Sequence, residues 1–120
     1  MPHCSQIRGK FRKPSETLGV VCDENHLLVE WFGNGRVVFS FARQGDAISA
    51  HFAADKKGLR QVKQAINDFC AWVRENAPWC RMVLAVVKRP SVKRICEKCG
   101  FEYAFNAKGH DIYARKLWVE

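Results

Sequence analysis

The sequence predicts a mixed α/β domain in which one long and one short helix pack against a mostly antiparallel sheet of about six or seven strands. Strand-like runs separated by turn residues fill the region from Leu18 to Ala53. Apolar residues then recur at spacings of three and four, the period of a helix with one buried face. The later run Met82 to Val87 is continuously apolar, as in a strand buried on both faces.

Residues 18–22, 27–32, 36–43 and 47–53 are predicted to form an antiparallel meander, because Val and Phe suit a pleated, half-buried surface. Gly33-Asn34-Gly35 predicts a hairpin, since Asn-Gly tolerates the positive φ angles of a tight turn. Gln44-Gly45-Asp46 predicts a second tight joint.

The long helix is expected from about Lys57 to Asn76, and Pro78 marks its end. Its predicted buried stripe consists of Leu59, Val62, Ala65, Ile66, Phe69, Cys70 and Val73.

The C-terminal region is predicted as a central strand, a short helix and a hairpin. The strand is the run Met82 to Val87. Pro90 fits the first position of the helix and Gly100 its end. Two strands follow, at residues 101–105 and 111–119, joined at Ala107-Lys108-Gly109.

The bulk composition favours a cytoplasmic protein with an anionic partner. Lys and Arg number 20 against 12 Asp and Glu, a formal charge of +8, which favours nucleic acid, an acidic protein or a phosphorylated cofactor. No apolar run approaches the ~20 residues that span a bilayer, so no membrane association is expected. We also expect the six cysteines to stay free thiols.

The domain organisation is predicted as a basic N-terminal arm, residues 1–17, followed by a single domain, residues 18–120. The arm carries Arg8, Lys10, Arg12 and Lys13 around Phe11. It is interpreted either as a segment that reaches for phosphates or as a solvated terminus.

The segment Arg89-Pro90-Ser91-Val92-Lys93-Arg94-Ile95-Cys96-Glu97-Lys98-Cys99-Gly100-Phe101 resembles a pattern of the GCN5-related N-acetyltransferases. The pattern is N-x-A-S-x-R-x-Y/L-E-K-x-G-F, matched through Arg94, Glu97, Lys98, Gly100 and Phe101. The predicted element order also resembles this family from its second strand onward. The family's first strand and its two substrate-binding helices are expected to be shortened or missing.

The resemblance implies a binding site for acetyl-coenzyme A. In the family, a loop like Q/R-x-x-G-x-G/A before the long helix binds the pyrophosphate through backbone N–H groups. The corresponding residues here are Lys56, Lys57, Gly58, Leu59 and Arg60, and the fourth strand would hold the pantetheine arm near Phe52 and Ala53. Asp55 stands where the family has Gln or Arg, and Arg60 where it has a small residue.

Acetyl transfer to an amine needs a proton acceptor and a proton donor. His51 and Glu30 are the titratable residues best placed by strand position to accept the proton. Alternation along the second strand also allows Glu30 to be an outward-facing charge. Cys96 stands where the family often has a tyrosine that protonates the departing thiolate.

Cys96 and Cys99 also have the C-x-x-C spacing of metal and redox sites, but no second pair completes a zinc site, so we predict burial and no metal.

Two functions remain open on the sequence. The first is an acetyl-coenzyme A-dependent N-acetyltransferase whose amine acceptor is unknown. The second is a catalytically inactive protein with the same fold, of a phage or mobile-element accessory type, whose basic surface binds nucleic acid or an acidic protein. Pairing of the sheet edges of two copies in a homodimer is also left open.

Overall fold

The computed structural model describes residues 9–118 and shows a single seven-stranded sheet with helices packed on one face. In chain order the elements are β1 (Lys10–Arg12), β2 (Leu27–Phe32), β3 (Arg36–Gln44), β4 (Ala47–Ala54), α1 (Lys56–Leu59), α2 (Val62–Asn76), β5 (Met82–Val87), α3 (Pro90–Lys98), β6 (Glu102–Ala107) and β7 (His110–Lys116). The strand order is β1-β2-β3-β4-β5-β7-β6, and every neighbouring pair is antiparallel except β4 and β5, which are parallel. The predicted fold class is confirmed.

The N-terminal end of the sheet differs from the prediction. Residues 18–22 form no strand, because Leu18 and Gly19 have positive φ angles of 54° and 85° and turn the chain. The first strand is instead Lys10–Arg12, inside the predicted basic arm, where it pairs with β2. Residues 1–8 of that arm lie outside the described residues. Between β1 and β2 the described chain contains no helix, in agreement with the expected loss of two helices.

The predicted long helix is interrupted. It is divided into α1 and α2 at Arg60 and Gln61, whose N–H groups donate to carbonyls three residues back instead of four. The Gln61 side chain contacts another element. Its Oε1 accepts hydrogen bonds from the backbone N–H groups of Asn34 (2.9 Å) and Gly35 (3.2 Å), at the tip of the β2–β3 hairpin. Leu59, predicted as part of the buried stripe, is 57% exposed.

The buried face of α2 otherwise follows the predicted stripe. Phe69 stacks on Phe39 of β3 with ring centroids 4.3 Å apart. Asp68, absent from the predicted stripe, is also buried and accepts hydrogen bonds from the Trp31 Nε1–H and the Gly9 N–H, both at 2.8 Å. These contacts fix α2 against β2, the segment before β1 and the centre of the sheet.

The C-terminal elements occur in the predicted order, although the last strand ends at Lys116 and residue 119 of its predicted range lies outside the described residues. β5 lies between β4 and β7, Pro90 occupies the first turn of α3, and Gly100 ends that helix with a φ of 85°. The turn between β6 and β7 places Lys108 and Gly109 at positive φ, as a two-residue hairpin turn requires. Within the described residues no helix is long and apolar enough to cross a membrane.

Candidate functional site

The most open place in the sheet is the boundary between β4 and β5. The two strands pair only where Ala47–Ala50 faces Met82–Ala85. β4 then continues to Ala54 and β5 to Val87 without pairing to each other. Since the N–H and C=O groups of alternate residues point to the same side of a strand, part of the β4 backbone at residues 51–54 faces an opening.

A cavity of about 590 Å³ fills this opening, and we call it the cleft. Its walls are mostly apolar. Phe52 and Ala53, predicted to lie along the pantetheine arm, both line it, as does Leu59 from α1. The segment Leu18 to Val21 lines it too, so an irregular segment supplies one wall.

His51 lines the cleft on β4 and is half-buried. Burial lowers its pKa below the usual 6.5, and the neighbouring charges of His26 and Lys88 lower it further. The imidazole is therefore neutral at neutral pH and able to accept a proton. Since Phe52 packs in the core beneath α2, alternation directs His51 to the opposite face of the sheet.

His26 and Asp23 extend the site beyond the predicted residues. The His26 and His51 ring centroids are 5.7 Å apart, and His26 Nδ1 lies 2.7 Å from Asp23 Oδ1. Asp23 also accepts a hydrogen bond from the Asn25 N–H at 2.8 Å, which closes a local turn. The sequence signal for this pair was an Asp three residues before a His in a turn, too common a pattern to single out.

Cys96 lines the cleft from α3 and is almost completely buried. Burial raises the pKa of its thiol to about 11, so Cys96 keeps its proton at neutral pH. α3 packs on the same face of the sheet as α2, so Cys96 and His51 meet the cleft from opposite faces. The predicted donor and acceptor positions are thus brought to one cavity.

The C-x-x-C pair lies at the C-terminal end of α3, where the helix dipole opposes a thiolate. The Cys99 Sγ–H donates to the backbone carbonyl of Lys63 at 3.7 Å. No group of three or more metal ligands is present in the described part of the chain. Cys96 and Cys99 are buried, as predicted.

Glu30 does not lie at the cleft. It is fully buried on β2, with its Oε2 paired to the Nε of Arg12 on β1, so neither an outward charge nor a base beside His51 describes it. Its Oε1 has no hydrogen-bond partner in the described structure, and neither has the buried Ser40 Oγ. Glu30 therefore joins β1 to the sheet.

The loop before α2 differs more strongly from the sequence interpretation. Asp55 Oδ1 accepts a hydrogen bond from the Gly58 N–H at 2.7 Å and another from the Arg36 N–H at 3.1 Å. The N–H groups of Leu59, Arg60 and Gln61 donate to backbone carbonyls within the same loop. Of residues 56–60, expected to receive a pyrophosphate, the amides of Gly58, Leu59 and Arg60 therefore already have partners. The hydrogen bonds from Arg36 first, and then from the Gly58 N–H, lower the pKa of Asp55 and keep it ionised.

Gly58 is required for packing. A Cβ built on Gly58 would lie 2.1 Å from the Arg36 carbonyl oxygen, so only glycine lets the loop approach β3 this closely. Lys56 and Lys57 are exposed and line neither the cleft nor the second cavity described next. The predicted phosphate residues therefore do not all face one cavity.

The second cavity, of about 280 Å³, lies between the start of α2 and α3. Four cationic side chains line it, and we call it the basic groove: Arg60, Lys63, Arg94 and Lys98. The groove shares Leu59, Ser91 and Ile95 with the cleft. Of the predicted cofactor residues, Leu59 and Arg60 contact this groove.

No family model and no curated protein matches the chain. Several solved structures match the chain in fold. The ribosomal-protein-S18-alanine N-acetyltransferase of Escherichia coli superposes with a TM-score of 0.59 at 15% identity, over 82% of this chain and 74% of that one. A spermidine N-acetyltransferase chimera built in part from Vibrio cholerae superposes with a TM-score of 0.59 at 13% identity, over 79% of this chain and 69% of the chimera. An aminoglycoside acetyltransferase bound to coenzyme A superposes with a TM-score of 0.57 at 13% identity, over 78% of this chain and 67% of that enzyme. The chain therefore has the fold of the GCN5-related N-acetyltransferases.

Proposed function

We propose that the chain binds acetyl-coenzyme A in the cleft and transfers the acetyl group to an amine. The observation that supports this most directly is the early end of the β4–β5 pairing, which leaves backbone groups beside an apolar cavity. A pantetheine arm alternates amides with methylene groups, so it needs hydrogen-bonding backbone and apolar walls together. Phe52 and Ala53 provide both.

His51 is proposed as the proton acceptor. An attacking amine has a pKa near ~10 and is mostly protonated at neutral pH, so it must lose a proton. The neutral imidazole can accept it, but the lowered pKa makes that transfer uphill, so the proton has to pass on. His26, held by Asp23, lies close enough to carry it towards solvent.

When bound, the thioester supplies the acetyl group: a C–N bond to the acceptor forms as the C–S bond breaks and leaves a thiolate. Cys96 faces the cleft with its proton in place. An ordinary thiol has a pKa of ~8.5, so complete proton transfer from Cys96 is uphill. We therefore assign Cys96 a hydrogen bond to the departing sulfur, and expect a smaller effect from its removal than from that of His51.

A second candidate is a protein that binds an anionic partner without catalysis. The basic groove and the closed loop at residues 55–61 favour it, because one supplies positive charge and the other departs from the phosphate loop of the related enzymes. Nucleic acid and an acidic protein are the two partners that the formal charge of +8 would suit.

Calorimetry with acetyl-coenzyme A separates the two candidates. We expect saturable binding to the wild-type chain and release of free thiol when a panel of amines is added. In the variant Ala85→Phe, which places a ring in the cleft wall, binding should fall about tenfold or more.

The matched control is Ala104→Phe on the exposed edge strand β6, which should bind as the wild type does. Absence of heat and of a thermal shift at millimolar acetyl-coenzyme A would eliminate the enzyme proposal. Binding that Ala85→Phe leaves unchanged would place the ligand outside the cleft.

A further inference from the structure

The basic groove brings four cations together without a carboxylate. Arg60 and Lys63 reach it from the start of α2, and Arg94 and Lys98 from one face of α3. All four are exposed, and none forms an ion pair within residues 9–118. No Asp or Glu is among the groove's lining residues.

Like charges that converge from two helices repel one another, and the repulsion is relieved when an anion lies between them. Arg and Lys both bind phosphate well, Arg through two parallel hydrogen bonds and Lys as a point charge. The lining residues therefore suit a ligand that carries more than one phosphate charge.

The groove adjoins the cleft. Ser91 and Ile95 of α3 and Leu59 of α1 border both cavities, so the two lie side by side, as a ligand that extends over both requires. The groove volume of about 280 Å³ suits the end of a small molecule. No aromatic side chain lines it, whereas sites for single-stranded nucleic acid usually stack bases on aromatic rings.

The amides at residues 58–60 offer no such site. The N–H groups of Gly58, Leu59 and Arg60 are already donors, and the first of them binds the ionised Asp55 carboxylate. A phosphate approaching Gly58 would have to displace a negative charge that is hydrogen-bonded in place. These three amides do not fit a pyrophosphate.

We propose that the phosphates of the coenzyme A ligand are held by the side chains of the basic groove, and that the amides of Gly58, Leu59 and Arg60 take no part. This inference rests on the proposed function for the identity of the ligand. The inference goes beyond the proposed function because it assigns phosphate recognition to Arg94 and Lys98, which the sequence did not select as cofactor residues.

Two variants of equal charge change test this assignment. Arg94→Glu, Lys98→Glu reverses two charges in the groove, and Lys56→Glu, Lys57→Glu reverses two in the loop outside both cavities. Calorimetry would use coenzyme A, adenosine 3′,5′-bisphosphate and phosphate-free acetylpantetheine, and circular dichroism would show that both variants fold.

We expect the groove variant to lose about tenfold or more in affinity for coenzyme A and for the bisphosphate. The loop variant should lose much less, and acetylpantetheine should bind all three proteins equally. Equal losses in both variants would indicate a general electrostatic effect and overturn the proposal. Unchanged coenzyme A binding in the groove variant would overturn it as well.

The bisphosphate distinguishes failure of this inference from failure of the proposed function. Bisphosphate that shifts the amide resonances of residues 91–98 supports a phosphate site in the groove even if acetylpantetheine and acetyl transfer fail. A wild type that binds neither coenzyme A nor the bisphosphate overturns both proposals. Retention of nucleic acid that the groove variant abolishes, with no competition from coenzyme A, would assign the groove to nucleic acid instead.

Discussion

The cleft between β4 and β5 and the loop at residues 55–61 were both expected to hold parts of one cofactor, yet their backbones are in opposite states. In the cleft, strand pairing ends after Ala50 and Ala85 and leaves groups facing a cavity. In the loop, Asp55 and neighbouring carbonyls accept the hydrogen bonds of the amides at residues 58–61. Backbone donors can bind a ligand only where the fold has not already used them.

The difference also shows that a glycine in a motif-like position has two possible uses. Gly58 matches the central glycine of a phosphate loop, but its missing Cβ makes room for the Arg36 carbonyl. Tertiary packing decides whether a ligand or another part of the chain approaches the glycine closely.

The largest expected effect tests the cleft. Replacing the proton acceptor in His51→Ala should lower kcat for acetyl transfer by about 10²–10⁴-fold, the usual contribution of a positioned general base. Affinity for acetyl-coenzyme A should change little, because the backbone of residue 51 remains.

The control for His51→Ala is His110→Ala, an exposed histidine on β7. Steady-state rates and calorimetry measure the two parameters separately. Equal rates in both variants would exclude His51 as the base.

The loop is tested by Gly58→Ala, with Lys57→Ala as the control in the same turn. The added methyl group would lie against the Arg36 carbonyl, so we expect the free energy of unfolding to fall by about 2–4 kcal/mol without any ligand. Lys57→Ala should change it by less than about 0.5 kcal/mol. Urea unfolding measures both, and a wild-type stability for Gly58→Ala would contradict the packing role.

The pair of the half-exposed Arg12 and the buried Glu30 tests the part of the sheet outside both regions. Arg12→Met leaves the Glu30 carboxylate buried without its partner, and because Arg12 is half-exposed we expect a loss of about 2 kcal/mol in unfolding free energy. The double variant Arg12→Met, Glu30→Gln should recover part of it. A fall in acetyl-transfer rate larger than the loss of folded protein would instead assign Glu30 a role in the reaction.

The smallest expected effect concerns the proton path. Three groups face His51: His26 from the β1–β2 segment, Lys88 after β5, and Ser40, which pairs with His51 across β3 and β4. Burial is the main cause of the lowered His51 pKa and the His26 charge the second. His26→Gln should therefore raise the His51 pKa slightly, as measured by NMR titration of the ring protons.

The direction of the pH dependence follows from the same shift. His51 accepts a proton only when neutral, so the rate should rise with pH through its folded pKa and the acid limb should lie below 6.5. In His26→Gln that limb should move towards higher pH. The acceptor amine itself titrates near ~10, so acceptors of different pKa are compared. A wild-type limb above pH 6.5 that does not move with the acceptor would show that another group of the protein controls the reaction.

Local patterns determined most of the element predictions. The β2–β3 hairpin, the Pro90 and Gly100 boundaries and the buried strand Met82–Val87 all depend on neighbouring residues, and all are present. The hairpin does not use the expected backbone, however, because neither Asn34 nor Gly35 has a positive φ. Leu18 to Cys22 was assigned wrongly because its apolar residues fit a strand, whereas the positive φ angles at Leu18 and Gly19 that prevent one have no strong local signal.

By itself, then, the sequence determined the fold class, the helix and strand periods, and His51 and Cys96 as candidates, since periodicity and strand position are encoded locally. Only the tertiary structure decided which backbone groups remain available, that Glu30 is buried against Arg12, and that Arg94 and Lys98 meet Arg60 and Lys63 in one groove. The physical reason is that hydrogen-bond satisfaction and charge convergence depend on contacts between residues distant along the chain, and one sequence carries no direct record of those contacts.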